Sequence, residues 1–230
     1  MKSFFLQNKE NLSMEKNLKI YEKAKGRVII RILTNYLGIN LNSIRILEIG
    51  CSTGALMELL EQNGGDVYGI DIESPWSKCY YYDENKRLFC DLQEEDISFK
   101  IGNFDLIIAQ EVIEHIKKPY DFLVNTHKLL NIGGKILLTT PNLTGITAFL
   151  KGEKWCGTAT ESHMLLYTKR SLDFLLNNCG FKKIKSFTNI IPIVYQNKYP
   201  WLWWLNRLFS GIGVGGGIVA MYKKIPMIIK

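Results

Sequence analysis

A short segment with two carboxylates and a histidine, Glu111-Val112-Ile113-Glu114-His115, carries side chains suited to acid–base or metal chemistry. If the segment is helical, its spacing places Glu111, Glu114 and His115 on one face. Together with the later His163, these groups can hold a divalent cation such as manganese, iron, cobalt, zinc or magnesium. Three interpretations stay open: a metal site, a catalytic proton acceptor at His115 or His163 without metal, or a structural role.

A second set of residues, around a glycine-bearing turn, is suited to holding a nucleoside. An apolar strand over 44–49 leads into a turn with Gly50 and Gly54, and the next apolar strand ends at Asp71. Glycines let the backbone approach a ligand, and a carboxylate in that place can bind ribose hydroxyls. Ser52 stands where the dinucleotide pattern has its middle glycine. A cofactor without a pyrophosphate therefore fits better than a nicotinamide dinucleotide.

An ordered series of motifs over about residues 40–190 resembles the class I S-adenosylmethionine (SAM) dependent methyltransferases. The stretches that carry the resemblance are Glu48–Gly54, Tyr68–Asp71, Cys90–Leu92, Phe104–Gln110 and Leu130–Gly134. The resemblance implies SAM as cofactor. The residues that it implies for cofactor binding are Glu48, Gly50, Cys51, Gly54, Asp71, Ile72, Asp91, Leu92 and Gln110.

The resemblance also implies a role for most of these residues. Glu48 and the backbone near Cys51 would meet the methionine portion, and Asp71 the ribose hydroxyls. Asp91 would meet the adenine amino group, with Leu92 beside it. Gln110, just beyond the fourth strand, would lie near the sulfonium end.

The Glu-x-x-Glu-His segment followed by a later histidine is similar to two groups within this superfamily. One is the ubiquinone-biosynthesis O-methyltransferases, and the other is the ribose O-methyltransferases of small-RNA ends. Both include enzymes with a metal at these positions, so a divalent ion is a further expected cofactor. We expect an enzyme that methylates a hydroxyl of a small molecule, a sugar or a lipid-linked intermediate. The alternatives are RNA ribose methylation and a catalytically silent SAM-binding partner subunit.

Alternating strands and helices predict a doubly wound α/β fold with a mostly parallel sheet. The strands are expected at 44–49, 66–71, 87–90, 104–109, 134–140, 182–189 and 218–224, with helices at 14–37, 54–62, 119–130 and after Thr168. Tyr21 is expected on the apolar face of the first helix, Thr168 at the N-cap of the last helix and Gly180 at its end. The resemblance implies seven strands, the last antiparallel. We expect one domain over 1–230, divided into a helical cap (1–40), a cofactor-binding core (41–190), an aromatic insertion (191–217) and the last strand (218–224).

Composition bears on partners and location. The formal net charge of +7 suggests acidic partners or only a basic surface, and no dense basic patch marks an RNA-binding face. The apolar patch at 4–6 is too short for a signal peptide, and the five cysteines show no Cys-x-x-Cys pair. Both features favour the cytoplasm. The Trp-rich segment 199–217 suits peripheral membrane contact, a lipid-linked acceptor, a homodimer contact or an acceptor lid.

Overall fold

The computed structural model describes residues 2–73, 82–189, 213 and 215–226, which build a seven-stranded sheet in an α/β fold. The strands are β1 (Arg45–Ile49), β2 (Asp66–Asp71), β3 (Arg87–Phe89), β4 (Phe104–Gln110), β5 (Leu130–Pro141), β6 (Phe181–Asn189) and β7 (Gly217–Lys224). Their order is β3-β2-β1-β4-β5-β7-β6. Only β7 runs antiparallel to its neighbours β5 and β6. The predicted mostly parallel sheet with an antiparallel last strand is confirmed.

Helices cover both faces of the sheet. They are α1 (Lys2–Arg31), α2 (Ala55–Gln62), α3 (Ser98–Ile101), α4 (Pro119–Lys128), α5 (Ile146–Lys151), α6 (Cys156–Ala159) and α7 (Lys169–Asn178). Successive residues of β1 belong to different apolar clusters: Ile46 packs with the α1 and α2 side chains, and Leu47 with those of α4 and α7. This alternation follows from the two-residue period of a strand. It is the doubly wound arrangement that the sequence predicts.

The strand register brings the chemically interesting segments to one edge of the sheet. Ile49 at the end of β1 pairs with Ile70 on one side and Ala109 on the other. Because these three strands are parallel, the loops that leave them emerge together. The glycine turn, Asp71 and Gln110 therefore share this edge, where open α/β sheets bind their ligands.

The N-terminal helix is longer than predicted, and one residue expected on its apolar face is exposed. It begins at Lys2 rather than near residue 14, because no glycine or proline interrupts the chain before Gly26. It gives way at Arg31 to a π-helical turn over Ile32–Tyr36. Tyr21, expected on the apolar face, is 47% exposed.

Local signals near the end of the core are confirmed. The Thr168 hydroxyl accepts a hydrogen bond from the Ser171 N–H at 3.0 Å and caps α7. Gly180 follows that helix with φ of 79°.

The aromatic segment 199–217 lies outside the described residues except for 213 and 215–217. Among the helices that the structure describes, none has the length and apolarity needed to cross a bilayer.

Candidate functional site

A small cleft opens where β1 and β4 end. One wall of the cleft is the glycine loop, residues 50–54, and another is Gln110 at the end of β4. Helix α1 covers the cleft with two charged side chains. The lining residues are Glu22, Lys25, Glu48, Gly50, Cys51, Ser52, Leu56 and Gln110.

The glycine loop is fixed by its backbone. The Gly50 and Cys51 N–H groups both donate to the Ile70 carbonyl, at 2.8 and 3.2 Å. Gly50 has φ of 76°, and a Cβ there would lie 2.6 Å from Val112 Cγ2, so no other residue fits without displacement. Ser52 takes a positive φ of 44° although it is not glycine. This turn presses the loop against the segment that follows β4.

Asp71 is tied to this loop through both carboxylate oxygens. They accept hydrogen bonds from the Ser52 N–H at 2.6 Å and the Ile72 N–H at 2.8 Å. Burial raises the pKa of Asp71, and these two N–H bonds oppose the rise. Each carboxylate oxygen retains a lone pair for a further donor. Asp71 is not among the residues that line the cleft, so its contact with ribose stays a prediction.

Two polar side chains of the cleft have unsatisfied buried atoms. Glu48 Oε2 and Gln110 Nε2 have no hydrogen-bond partner within the described parts of the chain. Burial raises the pKa of Glu48 well above its usual value, and the negative charges of Glu22 and Asp71 raise it further. An unpaired buried polar atom costs about 1–3 kcal/mol. The cleft is therefore suited to a ligand that brings a donor to Glu48 and an acceptor to Gln110.

Glu22 on α1 is a site residue that sequence reasoning missed. Its carboxylate accepts hydrogen bonds from Ser52 Oγ at 2.8 Å, from the Thr53 N–H at 3.3 Å and from Thr53 Oγ1. The sequence offered one general signal, an N-terminal helix before the first strand, but nothing in it singles out this residue. Its place at the loop depends on how α1 packs.

Asp91 and Leu92 lie apart from the cleft lining. The Asp91 carboxylate accepts the Gln93 N–H at 2.9 Å and also the Gln93 side-chain amide, so it caps its own turn. Leu92 is 3% exposed and packs in the core. The adenine contact inferred for these residues stays a prediction.

The segment after β4 does not form a helix over 111–115. Glu111 has φ of 56°, and its N–H donates to the Thr139 carbonyl at 3.0 Å, which prolongs the β4–β5 pairing. Its side chain accepts a hydrogen bond from Thr139 Oγ1 at 2.9 Å. Only Ile113–His115 forms a 3₁₀ turn. The condition on which Glu111 would share a helical face with Glu114 and His115 is therefore not met.

Glu114, His115 and His163 do come together. One potential ligand atom from each lies within 4.8 Å of the other two. The loop that carries His163 is held in place because the Met164 and Leu165 N–H groups donate to the Glu114 carbonyl, at 2.7 and 3.1 Å. Three of the four residues predicted for the acid–base or metal cluster are thus neighbours.

Hydrogen bonds to backbone carbonyls determine which nitrogen of each imidazole carries a proton. His115 Nδ1 lies 2.9 Å from the Ser162 carbonyl oxygen, and His163 Nδ1 lies 2.9 Å from that of Gly157. A carbonyl only accepts, so each Nδ1 must carry the proton. The Nε2 atom of a neutral ring then has a free lone pair. Both rings can accept a proton or bind a cation there.

Glu114 is fully buried beside these rings. Its Oε2 accepts a hydrogen bond from Thr140 Oγ1 at 3.0 Å, and its Oε1 has no partner among the residues described. Burial, with the nearby charge of Glu111, raises the pKa of Glu114 to about 8. Burial therefore favours the protonated carboxyl group, and a cation or a donor at Oε1 would favour the ionised form.

Comparison with known proteins decides the family. Residues 21–186 match the family described as a methyltransferase domain. The chain belongs to the class I SAM-dependent methyltransferases. The family implies SAM as cofactor. Glu48 and Gln110 in the cleft lining offer unsatisfied polar atoms, and Asp71, bonded to the glycine loop beside the cleft, has spare acceptor capacity. These three residues would hold SAM.

Curated relatives of this methyltransferase include ubiquinone biosynthesis O-methyltransferases. The protein from Nitrosococcus oceani is 34% identical over 105 residues, which is 44% of this chain and 44% of the relative. The protein from Roseobacter denitrificans is 28% identical over 175 residues, or 71% of this chain and 68% of the relative. The first match thus spans less than half of that relative's length.

Solved structures share the fold of this methyltransferase at low sequence identity. A SAM-dependent methyltransferase from Archaeoglobus fulgidus has a TM-score of 0.63 and 18% identity, with 86% of this chain and 94% of that chain covered. A SAM-dependent methyltransferase from Thermotoga maritima, described as a possible histamine N-methyltransferase, also has a TM-score of 0.63, with 14% identity and 97% and 100% coverage. At these identities the likeness concerns the fold alone.

Proposed function

We propose that this methyltransferase methylates a hydroxyl group of a small molecule, a sugar or a lipid-linked intermediate. When bound, SAM supplies a methyl group on a positively charged sulfur, which is ready for direct in-line transfer. The chain's own task is then to align the hydroxyl and to receive its proton. The names of the curated relatives support an O-directed reaction.

The observation that carries the proposal is the pair of imidazoles with Nδ1 bound to backbone carbonyls. These bonds orient each ring and leave Nε2 free to take the proton of an acceptor hydroxyl. A positioned base of this kind contributes about 10² to 10⁴-fold to a rate. His163 lies in the loop that follows α6, and His115 lies at the end of the 3₁₀ turn. We assign His163 or His115 as the proton acceptor.

A divalent cation is the second route to the same chemistry. Glu114, His115 and His163 would hold it, since their ligand atoms lie within 4.8 Å of one another. Metal-binding histidines commonly donate their other ring N–H to a carbonyl, as both rings do here. A cation would also stabilise the ionised form of Glu114, whose Oε1 has no partner in the described region. Under this route a cation held by these three residues would supply Lewis acidity, which would lower the pKa of an acceptor hydroxyl.

The test is methyl transfer from radiolabelled SAM to pairs of acceptors that differ in one group. Each phenol, sugar or prenylated phenol is paired with a compound of the same skeleton in which an amino group replaces the hydroxyl group. We expect label on at least one hydroxyl compound and none on its amine partner. Loss of transfer with a chelator, restored by added manganese or zinc, would assign the metal route; unchanged transfer would assign the imidazole route.

Two results would contradict the proposal. Labelling of the amine in preference to the hydroxyl compound would replace O-methylation with N-methylation. Tight SAM binding without transfer to any compound in extracts of the host would favour a catalytically silent subunit.

A further inference from the structure

The N-terminal helix α1 is held to the rest of the protein in two different ways. Its C-terminal part is buried: Val28 and Ile29 have no exposed surface, and a Cβ on Gly26 would lie 2.8 Å from Leu59 Cδ1. One turn earlier the contacts are polar, and Lys23 pairs with Glu58 at 2.9 Å. The apolar part thus fixes the helix, and its polar part lies along the opening of the cleft.

Glu22 is the residue of this polar part that reaches the glycine loop. Three donors from Ser52 and Thr53 hold its carboxylate in one orientation. Those bonds use only part of its capacity, because two carboxylate oxygens together offer about four lone-pair positions. Glu22 also lines the cleft. It is therefore a fixed negative group at the ligand's position.

Acidic side chains outnumber basic ones in the cleft lining, where Glu22 and Glu48 stand against Lys25. Glu22 and Asp71 both raise the pKa of the buried Glu48, and Lys25 is the cation that opposes them. Glu48 is 5% exposed, and its Oε2 has no partner within the described residues. Two carboxylates facing one small cleft favour a ligand with a positive charge. A buried unpaired oxygen beside them calls for an N–H donor.

We propose that Glu22 binds the ammonium group at the amino-acid end of SAM, together with Glu48. The inference rests on the proposed function, because it takes SAM as the ligand. An ammonium group has three N–H donors and one positive charge, which match an oriented carboxylate and a second, unsatisfied one. The N-terminal helix is then a part of the cofactor site and more than a packing element. Glu22 is a cofactor-binding residue that no motif of the core contains.

The test compares two ligands that differ in the amino-acid end. S-adenosylhomocysteine carries the ammonium and carboxylate groups, and 5′-methylthioadenosine lacks both. Binding of each to the wild-type protein and to Glu22→Gln is measured by calorimetry. We expect Glu22→Gln to weaken S-adenosylhomocysteine binding by about tenfold or more, the usual size of a charged hydrogen bond. Binding of 5′-methylthioadenosine should change by less than about twofold.

The matched control is Lys23→Gln on the same helix. Lys23 pairs with Glu58 and is not among the cleft residues, so its loss should leave the affinity ratio of the two ligands unchanged. Glu22→Asp, which keeps the charge on a shorter stem, should recover part of the lost affinity. Thermal unfolding of each variant shows whether the fold is retained.

Several outcomes would overturn the inference. An equal loss for both ligands would mean that Glu22 acts only by holding the loop. A gain in S-adenosylhomocysteine affinity would mean that its carboxylate competes with the ligand. Failure of the wild-type protein to bind either SAM or S-adenosylhomocysteine would instead overturn the proposed function, so the two failures are distinguishable.

Discussion

The loop after β1 and the segment after β4 leave the sheet at the same edge, yet they are built differently. Each contains a non-glycine residue with positive φ, Ser52 at 44° and Glu111 at 56°. In the first, backbone and hydroxyl donors bind carboxylates, those of Asp71 and Glu22. In the second, the Glu114 carbonyl accepts hydrogen bonds from two backbone N–H groups of the distant loop that carries His163. The first region is suited to a charged nucleoside, and the second to proton or metal chemistry.

The difference teaches how far each region depends on local sequence. Ser52 and Asp71, which are bonded in the loop region, are 19 residues apart and belong to one strand–helix–strand unit. His115 and Ser162, which are bonded in the other region, are 47 residues apart. If the two regions have separate tasks, substitutions should affect cofactor affinity and turnover independently.

The largest expected effect is on turnover, from His163→Gln. Loss of the free Nε2 should lower the rate of methyl transfer by about 10² to 10⁴-fold. The affinity for S-adenosylhomocysteine should stay within about twofold, because His163 does not line the cofactor cleft. Steady-state rates and calorimetry on the same preparations measure both quantities.

His127→Gln is the control for that substitution. His127 is mostly buried and its Nε2 lies 2.8 Å from the Ile225 carbonyl oxygen, away from the site. Its variant should retain turnover if it folds. Equal losses of turnover in the two variants would contradict separate tasks for the two regions. So would a parallel loss of cofactor affinity in His163→Gln.

A smaller effect is expected on binding, from Asp71→Ala. The substitution removes the acceptor of the Ser52 and Ile72 N–H groups and the predicted partner of the ribose. The affinity for S-adenosylhomocysteine should fall at least about tenfold, equivalent to about 1.4 kcal/mol. Asp66→Ala, at the other end of β2 and paired with Arg45 near the surface, should leave it unchanged. Unchanged affinity in Asp71→Ala would remove that residue from the cofactor site.

The smallest effect is expected on stability, from Glu48→Gln without ligand. The pKa of Glu48 is raised in the folded protein, so above its usual pKa the folded state keeps a proton that the unfolded state releases. Raising the pH from the usual glutamate pKa through the raised pKa of Glu48 therefore favours unfolding. The stability that the protonated group contributes is lost over that pH range. Glutamine does not titrate. The wild-type protein should lose stability relative to the variant as the pH is raised from about 5 to about 8.

Urea unfolding at both pH values measures this difference. Identical pH slopes for the wild-type protein and Glu48→Gln would contradict the raised pKa. The same variant should bind S-adenosylhomocysteine more weakly than the wild-type protein does. A gain in stability with a loss in affinity would show that Glu48 is kept for the ligand.

Most of the fold and the glycine loop could be predicted from the sequence. Apolar runs of strand length, a capping threonine at 168 and a helix-ending glycine at 180 are local signals, and the structure confirms them. The spacing of Glu111, Glu114 and His115 would suit one face of a helix, but the segment is not helical, because the Glu111 N–H donates to Thr139 of a neighbouring strand. Glu22 could not be found, because only the packing of α1 on α2 brings it to Ser52.

The amino-acid sequence alone determined which segments form strands, where the chain turns, and that β2 ends in a carboxylate. These depend on residue types within a few positions of one another, so they can be read along the chain. The tertiary structure alone decided that Glu22 reaches the glycine loop, that Glu111 turns away, and that His163 lies beside Glu114 and His115. Each of these depends on groups that are distant in sequence and meet only when the sheet and its helices are assembled.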